Sequence, residues 1–218
     1  MNLLQALSQR LRGALAPDDR RWVVLDVESS GLDPKADRLL AIAAIAVHTD
    51  GKRAQIALGD SFEVVLRQQV AVADKANILL HGIGVGAQRD GVEPALALGA
   101  FGQFIGRSPL IAFHAAFDQT LILRAFDAVQ LRRPDNPWLD LEPLAAVLHP
   151  EVRAHALDEW MAALQITCTV RHQAAADTLA TAELLLKLWP VALRDLGGVV
   201  HFAAARRLAG QRRWMPHG

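Results

Sequence analysis

The chain contains one cysteine, Cys168, among its 218 residues. A single cysteine excludes an internal disulfide and any metal site built from several cysteines. The longest uncharged apolar run, residues 39–47, is too short to span a bilayer. Residues 1–17 lack the order of a signal peptide, because their arginines follow the apolar residues and no long apolar core is present. These absences predict a soluble cytoplasmic protein with no membrane partner.

The chain also lacks net charge, since 23 lysines and arginines balance 23 aspartates and glutamates. Overall charge therefore argues neither for nor against a nucleic-acid partner, and any phosphate-binding surface has to be a local patch. No internal repeat or low-complexity tract is present. Apolar residues make up 52% of the chain, and its length suffices for one domain with a good core, alone or with short extensions.

Hydrophobic periodicity predicts an α/β domain. Short apolar runs bounded by turn signals predict strands at 22–29, 39–48, 61–66, 109–113 and 138–141. Apolar residues at helical spacing predict helices at 73–80, 92–105, 117–129, 157–164 and 174–189. We expect Pro190 to end the last helix. Because three strands precede any long helix and Asp50-Gly51 is a hairpin signal, those strands should form a meander within a mixed β-sheet flanked by α-helices.

The chain divides into three predicted parts. Leucines at helical spacing predict an N-terminal amphipathic helix and linker over residues 1–20, more consistent with packing on the domain than with a membrane or partner helix. Residues 21–190 form the predicted domain. Residues 191–218 form a predicted C-terminal extension, which is basic because of two arginine pairs in it.

Two carboxylates, Asp26 and Glu28, stand two positions apart at the end of the first predicted strand. Residues i and i+2 of a strand point to the same face, so these side chains should lie side by side. Like charges held so close repel, and a divalent cation relieves that repulsion. Their hard oxygen atoms suit Mg²⁺ or Mn²⁺. The alternative is that both residues occupy the solvent face of a half-buried strand.

Two further acidic positions and a histidine open later helices. Asp118 falls in the first turn of the helix predicted at 117–129, where a carboxylate is favoured by the helix dipole alone. His172 lies in the loop before the helix predicted at 174–189, and Asp177 lies in the first turns of that helix. Taken alone, His172 fits a capping or surface role as well as a catalytic one.

The joint pattern resembles the DEDDh group of DnaQ-like 3′→5′ exonucleases, which includes the epsilon subunit of bacterial DNA polymerase III. The pattern is D-x-E on the first strand, F-D opening a central helix, and H-x-x-x-x-D opening a late helix. The segment LDVESSGLDP (family L-D-x-E-T-T-G-L-D-P), the LHGI loop and the phrase DTLATAELLLKL add to the resemblance. It covers residues 22–190 and implies an RNase H-like fold.

The resemblance implies a role for each of the five motif residues. Asp26, Glu28 and Asp177 would bind one divalent metal ion, Mg²⁺ or Mn²⁺. Asp26 would bridge to a second ion, which Asp118 would contact directly or through water. His172 would be the general base. Such a site hydrolyses a phosphodiester and releases a nucleoside 5′-monophosphate.

The resemblance also implies residues that contact the 3′ end of the substrate. They are Ser29, Ser30, Gly31, Leu32, His81 and Phe117. For two of them packing is an equal alternative: Leu32 within its turn and Phe117 in the core. One departure concerns the second motif, where Phe113 and His114 replace the usual His and Asn. That departure affects the contacts near the substrate end.

Two kinds of function remain open on the sequence. The first is an exonuclease acting on single-stranded 3′ ends, with DNA favoured over RNA and a DNA polymerase as a possible partner. RNA stays an alternative because discrimination depends on contacts to the 2′ position. The second is a nucleic-acid-binding scaffold that has lost activity. The oligomeric state cannot be read from the sequence.

Overall fold

The structure is a computed structural model that describes residues 18–71, 75–168 and 173–214. Residues 1–17, where the N-terminal helix is predicted, lie outside these ranges. His172 also lies outside them. No helix in the described ranges is long and apolar enough to cross a membrane.

Five strands form one sheet in the order β3-β2-β1-β4-β5. The strands are β1 (Arg21–Ser29), β2 (Leu39–Thr49), β3 (Ala54–Val65), β4 (Leu110–Ala112) and β5 (Trp138–Asp140). The first three pair antiparallel, which confirms the predicted meander, while β4 pairs parallel with both β1 and β5. The sheet is therefore mixed, as predicted. Every residue of β2 except His48 is buried, as expected for an apolar strand covered on both faces.

The third strand begins at Ala54 rather than at 61, so the predicted start was wrong. The register between β2 and β3 shifts between Ile45 and Ala46, where Ile45 pairs with Ser61 and Ala46 pairs with Ala57. The residues skipped by this bulge include Gly59 and Asp60, types that are depleted in strands. The pairing with β2 overrides their low strand propensity.

The described residues form eight helices and a short 3₁₀ turn. The helices are α1 (Lys75–His81), α2 (Val85–Asp90), α3 (Pro94–Ile105), α4 (Ala116–Ala128), α5 (Leu141–Leu148), α6 (Leu157–Ala163), α7 (Ala174–Asp195) and α8 (Phe202–Ala209), with the 3₁₀ turn at Gly210–Trp214. Helices α2, α5 and α8 were not predicted.

Helix α7 continues through Pro190 to Asp195, so the prediction that Pro190 ends it was wrong. A proline inside a helix removes one backbone hydrogen bond. Leu188, Trp189 and Ala192 flank the proline and are at most 5% exposed. Packing of these side chains holds the helix through the proline.

Core residues lie on both faces of the sheet. In β1, Trp22 and Val24 pack on the side of α5–α8, and Val23 and Leu25 pack on the side of α3 and α4. This alternation follows from the two-residue period of a strand. On the first side, Phe202 of α8 meets Trp22 with ring centroids 5.4 Å apart. Part of the predicted C-terminal extension thus packs on the domain, and the predicted domain boundaries themselves stay a prediction.

Candidate active site

The carboxyl end of β1 carries Asp26 and Glu28, opposite Ala43 and Ala41 of β2. Pairing with β4 involves only Val23 and Val24, so the later part of β1 has no strand on that side. There the backbone N–H of Val27 donates to the carboxylate of Asp118. The first turn of α4 is thereby held against the strand that carries the D-x-E pair.

Asp118 is 3% exposed. Burial raises its pKa well above the usual range, and repulsion from the carboxylates of Asp140 and Glu28 raises it further, while backbone hydrogen bonds act in the opposite direction. An electrostatic effect from Glu28 on Asp118 requires that the two carboxylates lie near each other. The structure therefore brings the first and second motifs together.

Helix α7 brings the third motif to the same place. The backbone N–H of Ala174 donates to the carboxylate of Glu28. Asp177 lies in the same first turn and is 8% exposed. The next residue, Thr178, donates its hydroxyl to the carbonyl of Ala43 at 3.2 Å. Since Ala43 is the β2 partner of Asp26, the start of α7 covers the D-x-E pair.

Burial raises the pKa of Glu28 to about 7, although the hydrogen bond from Ala174 partly opposes this. The four predicted acidic residues thus come from three elements that meet at one end of the sheet. Within the described ranges, no three histidine, cysteine, aspartate or glutamate side chains form a ready-made group for a metal ion. His172 lies outside those ranges, and the roles of all five motif residues stay predictions.

Four of the six residues predicted to contact the substrate end, residues 29–32, lie at the end of β1 and in the turn that leaves it. The Ser29 hydroxyl donates to the Gly31 carbonyl at 2.5 Å, and the Ser30 hydroxyl donates to Asp37 Oδ1 at 2.9 Å. Leu32 is 90% exposed, so the alternative that it packs within the turn is wrong. An exposed leucine at this position is free to contact a ligand.

His81 and Phe117, the other two predicted substrate residues, are less accessible. His81 ends α1 and is 5% exposed, and its Nδ1 accepts a hydrogen bond from the Ile83 N–H at 3.0 Å. Burial lowers its pKa. Its Nε2 is buried without a partner in the described part of the chain. Phe117 is half-buried against the core on the α3 and α4 side, as the packing alternative expects.

The altered pair Phe113-His114 forms the turn between β4 and α4. His114 has φ 59°, in the left-handed region, where asparagine, aspartate and histidine are the enriched non-glycine residues. Histidine in place of the family's asparagine therefore keeps the backbone conformation accessible. The Phe113 and His114 rings lie 4.6 Å apart, and Phe113 also packs against the core on the α5–α8 side.

Asp140 is a residue of the site that sequence reasoning missed. It ends β5, and its Oδ1 accepts hydrogen bonds from the backbone N–H groups of His114 at 3.0 Å and Glu142 at 3.3 Å. Burial raises its pKa. One carboxylate thus caps α5 and fixes the turn that leads to Asp118. Its sequence signal was an aspartate at the junction of a short strand and an apolar helical pattern.

Comparisons with known proteins agree with this arrangement. A family model described as "Exonuclease", of the RNase T type, matches residues 23–185. The chain belongs to the DnaQ-like exonuclease family. The predicted family is therefore confirmed.

Two curated relatives are named as DNA polymerase III proteins. The chain is 33% identical over 167 residues to a PolC-type DNA polymerase III of Oceanobacillus iheyensis, which covers 77% of the chain and 11% of the relative. It is 32% identical over 176 residues to a DNA polymerase III subunit epsilon-like protein of Rhodobacter capsulatus, covering 79% of the chain and 24% of the relative. The chain therefore spans about a tenth to a quarter of the length of these relatives.

Among solved structures, E. coli exonuclease I in complex with a dT13 oligonucleotide has the same fold. The TM-score is 0.66 at 21% identity, and the match covers 81% of this chain and 43% of the other. This likeness confirms the predicted RNase H-like fold, with its mixed sheet flanked by helices.

Proposed function

We propose that the domain is a metal-dependent 3′→5′ exonuclease that releases nucleoside 5′-monophosphates from single-stranded DNA. The observation that carries the proposal is the meeting of Glu28, Asp118 and the first turn of α7 at the end of β1. These residues belong to all three motifs of the family pattern. Membership of the exonuclease family supplies the reaction class, and the direction and substrate are proposals.

The chemistry of these residues fits divalent cations. Glu28 and Asp118 are carboxyl groups with pKa values raised by burial, and Asp118 also experiences repulsion from neighbouring carboxylates. A bound cation stabilises the ionised form of such groups. Exonucleases of this fold depend on divalent metal ions. Asp26, Glu28 and Asp177 would hold one Mg²⁺ or Mn²⁺, and Asp26 with Asp118 would hold a second.

Such ions, when bound, supply a nucleophile from water at neutral pH and stabilise the leaving oxygen. The chain itself supplies the remaining steps. His172, which precedes α7 in the sequence, accepts the proton of the attacking water, a task suited to a side chain that titrates near neutrality. The turn at residues 29–32 contacts the terminal nucleotide, with the exposed side chain of Leu32 against its base.

Single-stranded DNA is the favoured substrate because E. coli exonuclease I, which shares the fold, was solved with a dT13 oligonucleotide. A DNA polymerase is the favoured partner because the two relatives described above are named as DNA polymerase III proteins. In the PolC-type relative, the matched stretch is a small part of a longer polypeptide. This suggests that the domain works beside a polymerase, within one chain or between chains.

The proposal is tested by release of mononucleotides from the purified protein. Single-stranded DNA and RNA of the same sequence are labelled at the 3′ or the 5′ end and incubated with Mg²⁺, Mn²⁺ or EDTA. We expect release of the 3′-terminal nucleotide from DNA with metal only, and a ladder that shortens from the 3′ end. Asp26→Asn should abolish the release. Asp90→Asn, an exposed aspartate on α2, is the matched control and should retain it.

Three results would contradict parts of the proposal. Release from RNA alone would replace the DNA substrate by RNA. Release of the 5′-terminal nucleotide would reverse the direction. A folded protein that releases nothing from either polymer would favour the scaffold alternative.

A further inference from the structure

The turn that follows β1, residues 29–38, is organised around the side chain of Asp37; we refer to it as the substrate loop. Asp37 Oδ1 accepts the Ser30 hydroxyl at 2.9 Å, and Oδ2 accepts the backbone N–H of Asp33 at 2.9 Å. A Cβ atom on Gly31 would lie 2.5 Å from Asp37 Oδ2. The carboxylate therefore lies directly against the backbone of Gly31. Its contacts connect the two ends of the substrate loop to each other.

Arg124 of α4 donates hydrogen bonds to the backbone of the substrate loop. Its Nη1 donates to the carbonyl of Pro34 at 2.6 Å and to the carbonyl of Asp37 at 2.8 Å. The same loop segment forms one helical turn, in which the N–H of Asp37 bonds to the carbonyl of Asp33 at 2.7 Å. A guanidinium at the carbonyl end of a helical turn makes charge-assisted hydrogen bonds that also complement the local dipole.

Apolar packing does not fill the space beside the loop. A groove of about 300 Å³ lies between the loop, the start of β2 and helices α3 and α4. Its apolar lining includes Leu39, Leu98 and Leu121, and Asp37 and Arg124 belong to its wall. Because the groove is open, packing alone leaves room for the loop to shift. The Arg124 hydrogen bonds cross from α4 to the loop at this point.

We infer that Arg124 is a positioning residue, which fixes the substrate loop relative to Asp118 on the same helix. Asp118 bonds to the backbone of β1 and Arg124 bonds to the loop that leaves β1. Helix α4 is thus attached both to β1 and to the loop that leaves it, which the proposed function assigns to the terminal nucleotide. The inference rests on the proposed function, because it assigns the loop a substrate contact. Its consequence is that Arg124 governs substrate binding more than the chemical step.

Within the loop, Lys35 and the residue after it are both exposed, so the bond after Lys35 is a cleavage site for trypsin. Native protein is digested with trypsin, and cleavage after Lys35 is followed by mass spectrometry. We expect Arg124→Met, which keeps the apolar stem, to be cleaved about tenfold faster, the factor that corresponds to about 1.4 kcal/mol. Arg124→Lys keeps the cation and should fall between. Arg132→Met removes an exposed arginine after α4 and should match the wild type.

The same variants are then compared on substrate. We expect the KM of Arg124→Met for single-stranded DNA to rise about tenfold while kcat changes less than about twofold, with partial rescue in Arg124→Lys. Binding of a fluorescent oligonucleotide in EDTA should weaken by a similar factor. Thermal unfolding of each variant identifies any that fails to fold, and in that case Arg124→Lys carries the comparison.

The outcomes separate the inference from the proposed function. Unchanged cleavage of the loop in Arg124→Met overturns the inference. Faster cleavage with unchanged KM and unchanged oligonucleotide binding also overturns it, because the loop then has no role toward substrate. A wild-type protein without nuclease activity overturns the proposed function, whereas the cleavage and binding comparisons still decide the role of Arg124.

Discussion

Asp118 is almost fully buried, and its raised pKa shows that the fold favours its neutral form. An amide of the same shape could accept the same hydrogen bond from the Val27 backbone. Folding therefore gains little from an ionisable group at this position. Retaining a carboxyl group at some expense of stability is typical of residues kept for function.

We expect Asp118→Asn to separate stability from activity. The metal-free variant should be as stable as the wild type at neutral pH, or more stable by up to about 2 kcal/mol, because an amide avoids the cost of burying or protonating a carboxylate. Mononucleotide release should fall at least about a hundredfold, because an amide binds a cation poorly. Urea unfolding in EDTA measures the first effect and the nuclease assay measures the second.

Asp127→Asn is the matched control on the same helix, since Asp127 is exposed and pairs with Arg133. It should keep nuclease activity. An Asp118→Asn variant that retains activity, or that loses several kcal/mol of stability, would contradict this assignment.

Asp140 connects three elements near the site: strand β5, helix α5 and the turn before helix α4. It lies at the end of β5, caps α5 and also holds the backbone of His114, in the turn before α4. The left-handed φ of His114 needs such external support, because this conformation is uncommon for residues with a side chain. The position of Asp118 therefore depends on a strand that does not carry it.

Asp140→Ala should destabilise the protein by about 1–2 kcal/mol, the usual loss for removal of a helix N-cap. Activity should fall as well, because the turn before Asp118 loses its anchor. Asp140→Asn keeps an oxygen acceptor at the same place and should preserve most of both. Urea unfolding and mononucleotide release test the pair. Equal activity losses in the two variants would instead indicate that the charge of Asp140 acts directly.

The bulged strand β3 is tied to β1 by an ion pair. Arg21 donates to both carboxylate oxygens of Asp60, at 2.8 and 2.7 Å, and His48 Nε2 lies 2.9 Å from the same carboxylate. Arg21 also donates to the Ser108 hydroxyl at 2.8 Å. The hydrogen bond from Arg21 is the main cause that lowers the pKa of Asp60 to about 2, with a smaller effect from His48.

This lowered pKa predicts a pH dependence of stability. The unfolded aspartate titrates near pH 3.9, roughly two units above the folded value, so the pair contributes fully above about pH 5. Its contribution is lost as the pH falls through 4 towards 2. Because Asp60 is partly exposed, we expect Asp60→Asn to lower the free energy of unfolding by only about 1 kcal/mol at pH 6.

The measurement is urea unfolding of wild type and Asp60→Asn at a series of pH values. The difference between the two should shrink towards zero near pH 2. A difference that stays constant from pH 6 to pH 2 would show that the pair does not stabilise the fold through its charge.

For the molecule as a whole, the C-terminal residues complete the core. The His201 ring and the Phe202 N–H bond to the Asp19 carboxylate, both at 2.8 Å, and the Val200 N–H bonds to the Gly51 carbonyl at 2.7 Å. Phe202 is 4% exposed against Trp22. Helix α8 therefore belongs to the same cooperative unit as β1.

We expect Phe202→Ala to lower the free energy of unfolding by about 3–4 kcal/mol, the range for a large aromatic removed from a core. The whole domain should still unfold in one transition, followed by far-UV and tryptophan signals together. An early transition confined to part of the signal would show that α8 unfolds independently. Leu58→Ala, an exposed hydrophobic residue on β3, is the control and should change stability little.

Much of the fold was predictable because it is recorded in local patterns. The two-residue alternation of β1, the apolar run of β2 and the hairpin signal between β2 and β3 each depend on neighbouring residues. The positions of Asp118 and Asp177 in the first turns of helices were predictable for the same reason. The full extent of β3 and the passage of α7 through Pro190 were not, because sheet pairing and core packing override local propensity there.

The sequence by itself determined the order of the strands along the chain, the family motifs and the face on which Asp26 and Glu28 lie. Only the tertiary structure decided which residues support them. Asp140 with His114, Arg124 with Pro34, and Phe202 with Trp22 are contacts between residues 26 to 180 positions apart. No periodic pattern encodes such contacts. They exist because the parallel strands and the returning helices bring distant segments to the same end or face of the sheet.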